Sequence, residues 1–288
     1  MSRRTRILEE MGLGPVWQLR GEDDASTVTL DAPEPPADLA PSAAPPVARR
    51  TAEEPAPART RPERPSVDPD AAPPARTGPR PDLPSISPER TESIAKMDWP
   101  ELKSAVAGCK ACGLCKSRKN TVFGVGDESA DWMIVGEAPG AEEDIQGEPF
   151  VGQAGRLLDE MLFAIGLERS KGVYIANVLK CRPPGNRNPE PMEVAQCSPH
   201  LLRQLDLVKP KLILAMGRFA AQTLLNTEAS IASLRGKVHT YHGLPLVVTY
   251  HPAYLLRTPL DKSKSWEDLC LATDTMDGLV AGAKGDTA

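Results

Sequence analysis

Residues 131–167, DWMIVGEAPGAEEDIQGEPFVGQAGRLLDEMLFAIGL, decide how the rest of the chain is read. After Asp131 the run has five uncharged, mostly apolar residues (132–136), passes through a loop holding Gly136, Gly140, Gly147, Gly152 and Gly155, and ends in a helical pattern. In that pattern Leu157, Leu158, Met161, Leu162 and Ile165 share one face. A short apolar run is a fully buried strand when helices cover both sides of its sheet. Three more such runs follow, in VYIANVLK (173–180), KLILAMG (211–217) and LPLVVTYHP (244–252). The helical patterns NPEPMEVAQCSPHLLRQLDLV (188–208) and GRFAAQTLLN (217–226) lie between them. Alternating strands and helices make βαβ units, so the expected fold is α/β: a three-layer α/β/α sandwich around a four-stranded parallel sheet.

In such folds ligands bind outside the carboxyl ends of the strands. The residues that follow the four strands are GEAPG, NVLKCRPPGNR, MGR and TYHPAYLLR, and they carry most of the chain's site-like chemistry. Asn177 ends the second strand, where its amide can read a donor–acceptor edge or merely cap a turn. Phe150, one of 4 phenylalanines, sits in a polar glycine-rich loop as a stacking platform or a core plug. His251 ends the fourth strand, and Leu255, Leu256 and Arg257 follow it on an expected exposed loop, placed to wedge into a base stack or to fold back on the core. Surface solvation is the default for Arg182 and Arg187. The pentapeptide at Gln204, QLDLV, resembles a sliding-clamp motif, but its helical setting favours core packing. No nucleophile elbow, zinc-protease motif or Walker loop is present.

The cysteines are the second signal. AGCKACGLCKS (107–117) puts Cys109, Cys112 and Cys115 within seven residues, and Cys181 and Cys197 lie far downstream. With no export signal, clustered thiols point to a metal. Two distant pairs, Cys109/Cys112 and Cys181/Cys197, fit a four-thiolate site for zinc or an iron–sulfur cluster, with zinc slightly favoured on residues alone.

Outside this region the composition changes. Of 30 prolines, 17 lie between Pro33 and Pro88 among Ala, Arg, Asp and Glu, too polar to bury a core. Residues 21–92 are expected to be a disordered Pro/Ala-rich linker. Residues 1–20 are expected to form a short amphipathic helix (Ile7, Leu8, Met11, Leu13), either a docking element for a replication or repair protein or an accessory helix or frayed terminus. Residues 93–284 are the expected folded domain. The net charge of −5 argues against broad adhesion to nucleic acid. No apolar stretch is long enough to span a membrane, so a cytoplasmic monomer without a membrane partner is expected.

Taken together, GEAPGAEEDIQGEPFVGQAG, NVLKCRPPGNRNP with its flanking cysteines, and TYHPAYLLR closely resemble the family 4 uracil-DNA glycosylases, in motif order and spacing from about Gly108 to Ala272. The resemblance implies a DNA-repair enzyme that flips uracil out of single- or double-stranded DNA and hydrolyses its glycosidic bond. It implies a structural [4Fe-4S] cluster on Cys109, Cys112, Cys181 and Cys197, with Cys115 and Cys270 as bystanders, and no organic cofactor. It also implies a uracil pocket lined by Glu137, Ala138 and Pro139, with Phe150 stacking on the base, Asn177 reading its edge and His251 facing O2. His251, Asn177 and Glu137 would be catalytic, and Leu255, Leu256 and Arg257 would contact DNA. Ala138 stands where the best-studied uracil glycosylases carry a water-activating Asp, which leaves the handling of water to a group such as Glu137. The rival readings are a non-catalytic Fe–S DNA-binding module, a protein that traps uracil DNA covalently, and a broader deaminated-base glycosylase. The stretch 181–197 lacks the histidine that covalent trapping requires.

Overall fold

The computed structural model describes residues 86–285; the expected N-terminal helix and most of the proline-rich linker lie outside them. Two short helices come first, α1 (Pro88–Ala95) and α2 (Trp99–Ala107). Asp98 and Glu101 close a capping box at the start of α2. A 3-10 turn at Gly113–Lys116 carries the cysteine segment on to β1 (Val125–Gly126) and β2 (Trp132–Gly136). Helices α3 (Ala141–Gln146) and α4 (Gly152–Ala164) lead to β3 (Val173–Asn177), and α5 (Pro191–Val208) leads to β4 (Leu212–Met216). Then come α6 (Arg218–Leu224), α7 (Ile231–Leu234), the hairpin β5 (Val238–Tyr241) and β6 (Leu244–Thr249), α8 (Pro252–Arg257) and the long α9 (Lys262–Gly285).

The sheet order is β1-β3-β2-β4-β6-β5. Its middle is the expected four-stranded parallel array, with β2 pairing β3 on one side and β4 on the other, and β4 pairing β6. Every residue of β2, β3 and β4 is buried, as continuous apolar runs in a doubly covered sheet require. The sequence reading falls short at the edges, where β1 and β5 add two antiparallel strands for a total of six. β1 is only two residues long, below any periodicity signal. β5 alternates exposed and half-buried residues and turns through His242 and Gly243, both at positive φ (48° and 81°), a two-residue hairpin loop.

The connection from β2 runs outward to β3, whereas that from β4 runs the opposite way to β6. Right-handed crossovers in opposite directions place their helices on opposite faces. The cleft between the diverging loops is the switch point where ligands bind. The clamp-like QLDLV is core: Gln204 is fully buried, and its amide donates to the Phe123 carbonyl and to Tyr174 Oη. No helix among the described residues is long and apolar enough to cross a membrane.

Candidate base-reading cleft and cysteine site

All four parallel strands end at one cleft of about 360 Å³. Glu137, Ala138, Pro139 and Gly140 reach it from β2, Asn177 from β3, Gly217, Arg218 and Phe219 from β4, and His251, Ala253, Tyr254 and Arg257 from β6 and α8. Phe150 and Ala154 close one wall, and Pro183, Asn186, Arg187 and Asn188 another. The chain thus brings Glu137, Ala138, Pro139, Phe150, Asn177 and His251 together as expected.

The tightest part of the cleft is built on Gly136. A Cβ added there would lie 2.3 Å from Asn177 Oδ1 and 2.5 Å from Phe150 Cζ. The amide edge of Asn177 and the rim of the Phe150 ring therefore converge over a residue that has no side chain. Asn177 is 2% exposed and Phe150 5%, so both are held by packing. Phe150 adopts φ 53°, a left-handed conformation rare for a bulky residue. Its ring stacks on His251 with centroids 5.3 Å apart and 24° between planes. Phe150 is buried, as a core plug would be, and it also lines the cleft.

His251 caps α8, its Nδ1 accepting from the Ala253 amide at 3.1 Å. An accepting Nδ1 is unprotonated, which puts the proton of the neutral ring on Nε2. Burial, and secondly the charge of Arg257, push its pKa down to about 4, so the ring is a neutral donor at pH 7. Two carboxylates line the cleft. Glu143 is committed to structure, with Oε1 accepting from the Val151 amide at 3.1 Å, while Glu137 lies at the end of β2.

Two expectations change. Leu255 is 1% exposed and packs in the core, because α8 turns it inward; it is not available as a wedge. The exposed apolar side chains nearby are Leu256 (42%) and Leu260 (89%), and Leu260 escaped sequence reading because a lone leucine after Pro259 carries no pattern. Arg187 is more than a solvated surface group, although its side chain stays 38% exposed. It lines the cleft and forks both oxygens of buried Glu193, at 2.7 and 2.9 Å, which fixes the 183–188 loop.

The cysteines gather at a second cavity, lined by Cys109, Cys112, Cys181 and Cys197 together with Cys115, Arg118, Lys180, Gln196 and His200. No group of three or more His, Cys, Asp or Glu among the described residues is arranged to hold a metal ion. The environment nevertheless suits thiolates: Arg118 Nη1 donates to Cys181 Sγ at 2.8 Å, and the Lys180 amide donates to Cys197 Sγ at 3.3 Å. Burial pushes the Cys197 thiol up to about 12 and raises Cys181 and Cys112 as well. Lys180 is itself 1% exposed, and its ammonium donates to the Asn177 carbonyl at 2.8 Å. One buried side chain joins the two sites.

A parallel sheet with a base-sized cleft at its switch point, walled by an aromatic ring, an amide and a neutral imidazole, defines a class. Residues 123–271 match the model of the uracil DNA glycosylase superfamily, and the chain belongs to that family. It is 48% identical over 162 residues to the type-4 uracil-DNA glycosylase of Archaeoglobus fulgidus, covering 54% of this chain and 81% of that protein. It is 43% identical over 183 residues to the type-4 enzyme of Pyrobaculum aerophilum (61% and 93% covered), and 44% over 154 residues to that of Thermotoga maritima (53% and 80%). Within the superfamily its place is the type-4 group.

Proposed function

We propose that this uracil-DNA glycosylase reads a flipped-out uracil between Phe150 and Asn177 and releases it with His251 as the electrophile. The observation that carries this reading is the convergence of the Asn177 amide and the Phe150 ring over Gly136, with the His251 ring stacked alongside. Uracil inside a duplex is out of reach, so the base must swing into the cleft, at a cost of a few kcal/mol. Asn177 donates to O4 and accepts from N3–H. Cytosine presents the reverse pattern and leaves buried groups unpaired, a penalty that discriminates by about 10^4. Arg218 and Arg257 at the cleft rim are suited to phosphates, and exposed Leu256 to the gap left in the stack.

As the bond between N1 and C1′ breaks, its electron pair goes to the base and charge grows on O2. The neutral His251 donates Nε2–H there, an oxyanion-hole role in which losing one donor costs about 10^2–10^3 in rate. Glu137 orients water for addition of its oxygen to C1′. The water proton ends on the uracil anion, leaving an abasic site and free uracil.

The cysteine site fits a [4Fe-4S] cluster. Its donors would be four soft thiols, one of them, Cys181, buried and three, Cys109, Cys181 and Cys197, hydrogen-bonded at sulfur, with Arg118 and Lys180 to offset thiolate charge. The similarity to the type-4 enzymes supports a cluster over the zinc preferred on residues alone. Cys109, Cys112, Cys181 and Cys197 would hold it. When bound, it supplies a rigid crosslink between the 109–118 segment, the loop after β3 and α5.

The test is excision from uracil-containing single- and double-stranded oligonucleotides, beside iron analysis of the same protein. Asn177→Ala and His251→Ala should each lower the rate by at least about 10^2 with iron content unchanged. An inactive wild-type protein with a loaded cysteine site would sink the reading.

A further inference from the structure

Phe150 faces a problem the cleft itself does not solve. Its backbone is at φ 53°, and the Phe150 carbonyl lies so close to α4 that a Cβ on Gly155 would sit 1.7 Å from its oxygen. A bulky residue in this region persists only where its surroundings over-determine it. Arg169, from the loop between α4 and β3, supplies the constraint. Its Nη2 donates to the Phe150 carbonyl at 2.7 Å and its Nη1 to the Pro149 carbonyl at 2.9 Å, while Nε donates to Asp159 Oδ1 at 2.8 Å. The planar guanidinium thus grips two consecutive carbonyls and is locked to α4 through Asp159. Arg169 does not line the cleft.

From this geometry we propose that Arg169 is a positioning residue for the base platform, holding the 149–150 backbone so that the Phe150 ring stays over Gly136 beside Asn177. The proposal rests on the reading of Phe150 as the surface that stacks on uracil. A lost stack weakens the bound base in the ground state and the transition state alike, so it shows mainly in KM. Lysine cannot replace arginine here, because a single ammonium lacks the fork that spans both carbonyls and the carboxylate.

The experiment is a double-mutant cycle on full-length protein with Arg169→Ala, Phe150→Ala and the pair. It reads kcat and KM on single-stranded uracil DNA, competitive inhibition by free uracil, and melting temperature. Arg169→Ala should raise KM and weaken uracil inhibition about tenfold, the scale of one base–aromatic stack, with kcat changed less. In the Phe150→Ala background it should change neither further. Arg169→Lys should leave the defect largely in place. Should Arg169→Ala fail to fold, Asp159→Asn frees the guanidinium while keeping its bulk, and should weaken uracil inhibition in the same direction. Additive losses from Arg169→Ala and Phe150→Ala, or normal uracil inhibition in a folded Arg169→Ala protein, would overturn the proposal and leave the base platform standing. Normal inhibition in Phe150→Ala would overturn both.

Discussion

Gly136→Ala is the smallest change that tests the cleft. The added methyl would lie 2.3 Å from Asn177 Oδ1 and 2.5 Å from Phe150 Cζ, with Phe150 Cε2 at 2.7 Å. Ordinary contact needs about a further ångström on each side. Neither neighbour is the loose end of a flexible chain, since Asn177 and Phe150 are both buried and fixed by their backbones. The amide and the ring must therefore part by roughly 1 Å each, and a misplacement of that size costs on the order of 10^2 in rate. Overpacking should also cost about 1–3 kcal/mol, or several degrees in melting temperature for a domain of this size. The assay is kcat/KM on uracil-containing oligonucleotides, with melting temperature and iron content in parallel. Gly113→Ala, where nothing lies within 4 Å of the added Cβ, is the matched control and should behave as wild type. A folded Gly136→Ala protein with wild-type kcat/KM would refute the claim that the Asn177–Phe150 spacing reads the base.

His251 gives a pH test. Its pKa is depressed from 6.5 to about 4, so the stability it contributes is fully present above pH 6.5 and is lost as the pH falls towards 4. Wild type should lose about 3 kcal/mol more than His251→Gln between pH 7 and pH 4 in denaturant melts, and equal losses would show that the ring is not held neutral. Single-turnover excision should show no ionisation from this group near pH 6.5. Serine at any of Cys109, Cys112, Cys181 or Cys197 should abolish iron retention and visible absorbance, whereas Cys115→Ser should keep both; the reverse at Cys115 would redraw the ligand set. Leu255→Ala should destabilise the fold by about 2–5 kcal/mol, as a cavity in a packed core does, whereas Leu256→Ala and Leu260→Ala should leave the melting temperature within a degree or two and weaken excision from duplex DNA. Loss of excision in Leu255→Ala with no loss of stability would restore its place as a wedge.

The parts legible in the sequence are those whose physics is local. β2, β3 and β4 are buried on both faces, so each reads as an unbroken apolar run, and strand plus helix alternation gives the parallel order. Asn177 and His251 follow strands at positions where topology alone predicts a site. What escaped depends on contacts between distant residues. Leu255 and Leu256 are neighbours of the same type, and only the seat of α8 decides that one is core and the other exposed. Arg187 looks like any loop arginine until α5 brings Glu193 within 2.7 Å. Gly136 reads as a bending glycine at a strand end, yet its φ is not positive; what it provides is room, because the Asn177 and Phe150 side chains meet where its Cβ would be. Arg169 sits in a nondescript polar loop, and its two carbonyl partners lie 19 and 20 residues earlier in the chain.

Lys180 suggests why a hydrolytic enzyme keeps four cysteines beside its cleft. Burying an ammonium is costly without partners, and here burial outweighs the neighbouring cysteines and pulls its pKa down to about 8. Its one direct hydrogen bond runs to the carbonyl of Asn177, the residue proposed to read the base. A thiolate at Cys197 or Cys181 would favour its protonated form. Filling the cysteine site with thiolates would therefore hold the ammonium charged and strengthen its grip on the Asn177 backbone. Arg187 and Glu193 act in parallel from the other side, tying the cleft-lining loop to the helix that carries Cys197. On the proposed reading the thiols need no chemical step to matter: a filled cysteine site would fix Lys180 and α5, and with them the Asn177 amide proposed to choose uracil over cytosine.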